Sequence, residues 1–407
     1  MTRRRYAIVG TGQRATGMWG ADVKRDYDDV IEFVGLCDPN PKRAEAARRR
    51  MGVSCPLFTS FDEMLERTRP DLLAVMTVDR HHAEHIVSAL DRGLSVLTEK
   101  PMVIDAAQCQ AVLDAEKRSG RPIVVTFNYR YAPRHQRIKE ILMSGELGRV
   151  VAVSFDWYLD VEHGADYFRR WHRRRENSGS LLVHKATHHF DLVNWWLDAE
   201  PVEVTAYGAL ARYGKQGELR HSHCRPCPHK TRCDFHFDLT ASDELVELFA
   251  NVDHVDGYHR DGCVFREDVD IFDTMSALVR YDSGVVMNYS LNAFMPFEGY
   301  HLLFTCEKGT LGVRLEERLP EGDRAEIVIT KSFSQAPPRV ERPASGAGHG
   351  GGDVRLRDAV FRDIELPPHL ALPGSRAGAL SCLTGIAART SIDERRSVRI
   401  DELVRFD

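Results

Sequence analysis

Short apolar runs alternate with amphipathic stretches through the first third of the chain. Tyr6 to Val9 is an apolar run that ends at Gly10, which predicts a buried parallel strand. Ile31–Cys37, Leu72–Val78, Leu94–Thr98 and Pro122–Phe127 repeat that signal. Helical stretches fall between them: after the glycine turn to about residue 25, then Pro41–Met51, His81–Arg92 and Asp105–Ser119. Gly93 and Gly120 stand where C-caps belong. Strand and helix in strict alternation predict an α/β doubly wound parallel sheet, a Rossmann domain over residues 1–128.

The pattern then changes. Residues 151–158 alternate as a half-buried strand, and Val202–Arg212, Phe272–Arg280, Gly284–Leu291 and His301–Cys306 are β-rich. Asp282-Ser283-Gly284 and Glu307-Lys308-Gly309-Thr310 read as turns between them. A large, mainly antiparallel sheet is expected in a C-terminal α+β domain, residues 129–407, that binds substrate and mediates oligomerisation. Leu181–Leu197 is expected as one helix, because Leu182, Ala186, His189, Val193 and Trp196 recur at steps of three or four. Ser375–Arg389 reads as a closing helix, and the Pro-, Gly- and Ser-rich residues 334–353 as loop.

Composition narrows the function. A chain of 407 residues suits two cores rather than one. A net charge of −5 argues against nucleic acid as partner. No apolar run is long enough to cross a bilayer, and Met1–Gly10 has no apolar segment of the signal-peptide kind, so neither a membrane nor a secretory route is expected. Nine cysteines, several of them inside predicted elements (Cys37, Cys109, Cys382), suit a reducing cytoplasm better than a disulfide framework.

The candidate chemistry lies in several separate stretches. Gly10-Thr11-Gly12-Gln13-Arg14-Ala15 joins the first strand to the first helix. Gly10 permits the tight turn, Gly12 lets the backbone approach a pyrophosphate, and Ala15 lets helix and strand pack closely. Asp38, at the end of the second strand, is placed to accept from ribose hydroxyls, which favours NAD, or to act as a plain turn residue before Pro39. Lys42 and Arg43 close behind leave NADP open. Glu99-Lys100-Pro101 can put an ammonium at the mouth of the sheet, beside a nicotinamide. His184, His188 and Asp191 form an i, i+4, i+7 stripe, and a neutral imidazole there can take an alcohol proton. Phe168–Asn177 sets six basic side chains around Trp171: a solvated loop, or a cover for a substrate cleft. His349 and Asp353 are either loop residues or part of the cleft lining. Finally, Cys224, Cys227, Cys233 and Cys263, in an insertion near 221–263 with several histidines, have spacings that could close a structural zinc site. An iron–sulfur cluster or free thiols are the alternatives.

Taken in order, the glycine turn, Glu99-Lys100-Pro101, Phe127-Asn128-Tyr129-Arg130-Tyr131 and the helix carrying His188 and Asp191 resemble the Gfo/Idh/MocA oxidoreductases (glucose–fructose oxidoreductase, inositol dehydrogenase and MocA-like proteins). The resemblance covers nearly the whole chain. It implies Lys100 as catalytic lysine before a cis proline, His188 as general base, and a cofactor lined by Thr77, His81 and Glu99. Arg130, Tyr131, Trp171, His184, His188 and His349 are expected at the substrate, and association into a dimer or tetramer is expected. The family often carries an aspartate four residues before the catalytic histidine; here His184 stands there. Three functions remain open: a dehydrogenase acting on a secondary hydroxyl of a sugar, cyclitol or glycoside derivative; a hydrolase or lyase that oxidises transiently and returns the hydride; and a non-catalytic NAD-binding regulator.

Overall fold

The computed structural model describes residues 3–319, 322–343, 347–362 and 364–406. Six parallel strands form the first sheet: β1 Arg4–Val9, β2 Ile31–Cys37, β3 Leu57–Phe58, β4 Leu72–Val75, β5 Ser95–Thr98 and β6 Ile123–Val125, in the order β3-β2-β1-β4-β5-β6. Their residues are buried on both faces, which is why they read as unbroken apolar runs. Helix Pro41–Met51 starts at Asn40, whose side chain accepts from the Lys42 and Arg43 N–H groups. Helix Ala106–Ser119 starts at Asp105, which accepts from Gln108 N–H. The carboxyl ends of β1, β4 and β5 deliver Gly10, Thr77–Asp79 and Glu99–Lys100 to one edge of the sheet, the edge where ligands bind in such folds.

Nine strands form the second sheet: β7 Val150–Asp160, β8 Pro201–Ala209, β9 Thr274–Tyr281, β10 Val286–Met295, β11 Glu298–Cys306, β12 Gly309–Glu317, β13 Arg324–Lys331, β14 Arg339–Glu341 and β15 Val398–Arg399. The order is β14-β13-β12-β11-β7-β10-β9-β8-β15, antiparallel throughout except for the β7–β10 pair. One face is covered by helices Ala186–Leu197 and Ser375–Glu394; the other presents Tyr207, Leu278, Val286 and Leu303 outward.

Two expectations change here. The helix expected over Leu181–Leu197 is broken at Lys185 into Leu181–His184 and Ala186–Leu197. The stretch expected as loop over residues 334–353 contains β14 and the start of helix Ala347–Phe361. That helix packs against the first sheet: Phe361 lies edge-on to Tyr6 and Trp19, and Arg357 pairs with Asp22 at 3.0 Å. Its glycines are needed for close approach, since a Cβ on Gly352 would stand 2.2 Å from the Asn128 carbonyl oxygen. Tertiary contact overrides the low helix propensity of this segment. Among the described residues no helix is long and apolar enough to cross a membrane.

Candidate active site

A single cavity of about 1080 Å³ runs from the glycine turn to the histidines of the second domain. Gly10, Gly12, Gln13, Arg14, Ala15, Asp38, Thr77, His81 and Glu99, all expected at the cofactor, border it. Gly10 has φ +86°, and a Cβ there would lie 2.5 Å from the Met76 carbonyl oxygen. A Cβ on Gly12 would meet no protein atom within 4 Å. Gly12 is therefore not demanded by internal packing; it keeps open a place beside the first N–H groups of the following helix, which suits a phosphate. These residues fit a dinucleotide.

Asp38 is more heavily engaged than expected. Its Oδ2 accepts from Thr11 N–H and hydroxyl at 2.9 Å each, and its Oδ1 from Asn40 N–H at 2.9 Å and Arg43 at 3.3 Å. Glu99 is likewise held, by Trp19 Nε1 at 2.8 Å and Arg14 at 3.0 Å, and Arg14 also reaches Asp353 at 3.5 Å.

At the other end Lys100, His184 and His188 come together from separate domains. The Lys100–Pro101 bond is cis. Lys100 Nζ donates to the His184 carbonyl at 3.2 Å and stands 3.4 Å from His184 Nε2. His184 Nδ1 lies 2.5 Å from Asp79 Oδ2. The carboxylate absent four residues before His188 thus enters through space, from the end of β4, and reaches Lys100 through an imidazole. Burial drives the Lys100 ammonium down to about 8, against the pull of Asp79 and Glu99. Burial and the neighbouring Lys100 cation hold His184 well below its ordinary range, and burial raises Asp79. His188 is lowered by burial, then by Lys100 and Lys185, so its imidazole is neutral. Its ring stacks on Tyr129 with centroids 4.4 Å apart, and its buried Nδ1 has no partner among the described residues.

Trp171 and His349 line the cavity, and His349 Nδ1 sits 3.1 Å from Asp353. Arg130 and Tyr131 do not. Arg130, half-buried, makes a two-pronged pair with the buried Asp191 at 2.8 and 2.5 Å, and this takes Asp191 out of the histidine stripe. Tyr131 is buried, its hydroxyl donating to the Leu370 carbonyl at 3.2 Å. Tyr129, two positions before it, occupies the wall instead. Asp79, Lys185 and Trp157 were not singled out from sequence. Asp79 carries the one usable signal, an acid just past the carboxyl end of a parallel strand.

The metal site expected of the cysteine insertion is not shown. Cys224, Cys227, Cys233 and Cys263 border a small cavity of about 10 Å³, yet among the described residues no three His, Cys, Asp or Glu side chains converge to hold an ion. The Arg169 guanidinium donates to Cys224 Sγ at 3.5 Å, and the His223 ring stacks on His259 at 4.1 Å. Ion pairs pin the insertion instead: Arg225 reaches Asp253 at 2.5 Å and Asp261 at 3.1 Å. The same insertion leans on the first domain, where Glu244 accepts from Gln13 at 2.9 Å and Asp256 from Arg43 at 2.5 Å.

Comparison with known proteins agrees with this architecture. Residues 4–127 match the model of the oxidoreductase family with NAD-binding Rossmann fold, and residues 135–312 the GFO/IDH/MocA C-terminal domain. YteT of Bacillus subtilis (strain 168), provisionally named an oxidoreductase, is 35% identical over 424 aligned positions, covering 99% of both chains. Inositol 2-dehydrogenase of Salmonella paratyphi B is 26% identical over 203 positions, which cover 47% of this chain and 55% of the relative. The structure of levoglucosan dehydrogenase with NADH and levoglucosan superposes with a TM-score of 0.71 at 17% identity, covering 98% of this chain and all of that one. The chain belongs to the Gfo/Idh/MocA family of NAD-binding oxidoreductases.

Proposed function

We propose that this protein oxidises a secondary hydroxyl of a sugar, cyclitol or glycoside derivative with NAD. The observation that carries this reading is the shared cavity: a lysine at the end of the first sheet and two histidines from consecutive helices of the second domain border the same space as the glycine turn. Nicotinamide, when bound, supplies the acceptor for the hydride that leaves the carbinol carbon. Lys100 donates to the reacting oxygen and favours the alkoxide as it forms. His188, neutral and lining the cavity, takes the hydroxyl proton, so that C–H and O–H break and a carbonyl forms. Asp79 orients His184, and His184 holds Lys100.

Arg43 is held between Asp38 at 3.3 Å and Asp256 at 2.5 Å, which leaves it no free charge for a 2′-phosphate and favours NAD over NADP. The sequence division at residue 128 fits the break between the two sheets, and the outward apolar residues of the second sheet suit association into a homo-oligomer. One observation favours a second reading. The insertion closes over the Arg43 end of the cavity through Phe249, Asp256 and Tyr258, which suits a cofactor that stays bound through a cycle of oxidation, cleavage and hydride return. A carbohydrate panel followed by both reduced-nicotinamide absorbance and product mass spectrometry separates the two. Net NADH supports the dehydrogenase, cleavage without NADH the second reading, and no reaction defeats both. Lys100→Ala and His188→Ala should each lose at least about 100-fold.

A further inference from the structure

Lys185 breaks the histidine helix between His184 and His188, and its side chain lines the reaction end of the cavity although the residue is only 4% exposed. Its ammonium lies 5.2 Å from the Trp157 ring centre and 5.8 Å from that of Tyr129. Among the described residues it has no carboxylate within 4.0 Å and no hydrogen-bond acceptor. Glu298, the acid on the same wall, is already committed: its Oε1 lies 3.0 Å from His163 Nδ1, and its Oε2 accepts from the Asp160 N–H at 3.0 Å. Lys100 differs, because Asp79 answers it through His184 and Glu99 lies beside it. Nearby, Arg170 and Arg260 share the single carboxylate of Asp166, at 3.2 and 2.6 Å. His172, His184 and His188 are kept neutral by burial and do not shift this balance. Lys185 is thus set apart at the reaction end by having no hydrogen-bonded acid among the described residues. A buried ammonium with no direct acceptor offers a ready partner to an anion that enters the cavity.

Resting on the oxidoreductase reading above, we propose that the substrate is a polyhydroxylated acid, whose carboxylate pairs with Lys185 while its carbinol lies between Lys100 and His188. A monoanion matches the one ammonium at this end that lacks a hydrogen-bonded acid among the described residues.

The test compares uronic acids with their parent aldoses and the corresponding aldose 6-phosphates, on the full-length protein with NAD. Binding is read from intrinsic tryptophan fluorescence, to which the cavity residues Trp157 and Trp171 contribute, and turnover from NADH. The acid should bind about 10- to 100-fold more tightly than its parent, the range expected of a charge-assisted contact. Lys185→Gln should erase that preference, and Lys185→Arg should keep most of it. Equal binding of acid and parent, tighter binding of the phosphate, or a preference that survives Lys185→Gln would each overturn the proposal. If Lys185→Gln fails to fold, the wild-type comparison still decides. Acid preference without any NADH or cleavage would sink the oxidoreductase reading alone; NADH from sugars with no acid preference would sink the carboxylate alone.

Discussion

Replacing Asp79 with Asn keeps the shape of the Asp79–His184–Lys100 chain and removes its negative end. The 2.5 Å and 3.4 Å contacts on either side of the imidazole put carboxylate and ammonium at most about 8 Å apart. At an effective dielectric of about 20 that separation is worth about 2 kcal/mol, or about 1.5 pH units on Lys100. The sign follows from the acid: Asp79 favours the charged lysine, so its loss lowers a pKa that already stands at about 8. Lys100 must be protonated to donate to the reacting oxygen, and activity falls as pH rises through its pKa. The alkaline limb of kcat/KM should therefore move from about 8 to about 6.5, and activity at pH 8 should drop about tenfold or more. Asp79→Glu should restore part of the limb. The assay is a pH profile of kcat/KM on a substrate found in the panel, with melting temperature as a control for folding. An alkaline limb that stays in place in Asp79→Asn, at unchanged melting temperature, would show that Asp79 carries no charge felt by Lys100 and would refute the coupling.

Other consequences are as direct. Gly12→Ala should leave the melting temperature of the ligand-free protein unchanged, since its Cβ meets no protein atom within 4 Å, and should weaken NAD binding by calorimetry; tight NAD binding by this variant would put the pyrophosphate elsewhere. Gly352→Ala, with a Cβ 2.2 Å from the Asn128 carbonyl oxygen, should lower stability by about 1–3 kcal/mol in denaturant melts, as overpacking does, and an unchanged midpoint would contradict the packing described. Asp256→Ala frees Arg43 of one of its two acids and should raise the NADP-to-NAD ratio of kcat/KM by several-fold; a falling ratio would count against Arg43 as the discriminating charge. On the acid side, His188 is neutral through the ordinary working range, so kcat/KM should show no descending limb between pH 6 and 7, and a limb near the usual histidine value of about 6.5 would contradict the burial argument.

Much of this site was legible because its parts are local. The glycine turn, Glu99-Lys100-Pro101 and the spacing of His184 and His188 are set by a few neighbouring residues whose element type the apolar pattern already dictates. What stayed hidden depends on pairs far apart in sequence. Asp79 and His184 are 105 positions apart, and only the folded sheet edge shows that one supplies the acid the other lacks. Arg130 lies in the same motif as Tyr129, yet Asp191 claims it, and nothing local distinguishes a buried ion pair from a substrate contact. The glycine-rich residues 347–353 are drawn in against the Asn128–Tyr131 turn, with His349, Gly350 and Gly351 at positive φ, a tertiary fit that propensity does not carry. The cysteine spacing suggests a metal knuckle; what spacing does not carry is Arg169 set against Cys224 and Arg225 tied to Asp253 and Asp261 across the insertion.

The central claim is that Lys100 and His188 act on one carbon within reach of a bound nicotinamide. The direct measurement presents a carbohydrate substrate deuterated at the reacting carbinol carbon and follows the label by mass spectrometry under single-turnover conditions. Wild-type protein should carry deuterium onto the nicotinamide ring, with transfer slowed at least about 100-fold in both Lys100→Ala and His188→Ala. Consumption of the sugar with the nicotinamide unlabelled, or label transfer indifferent to both substitutions, would contradict the claim.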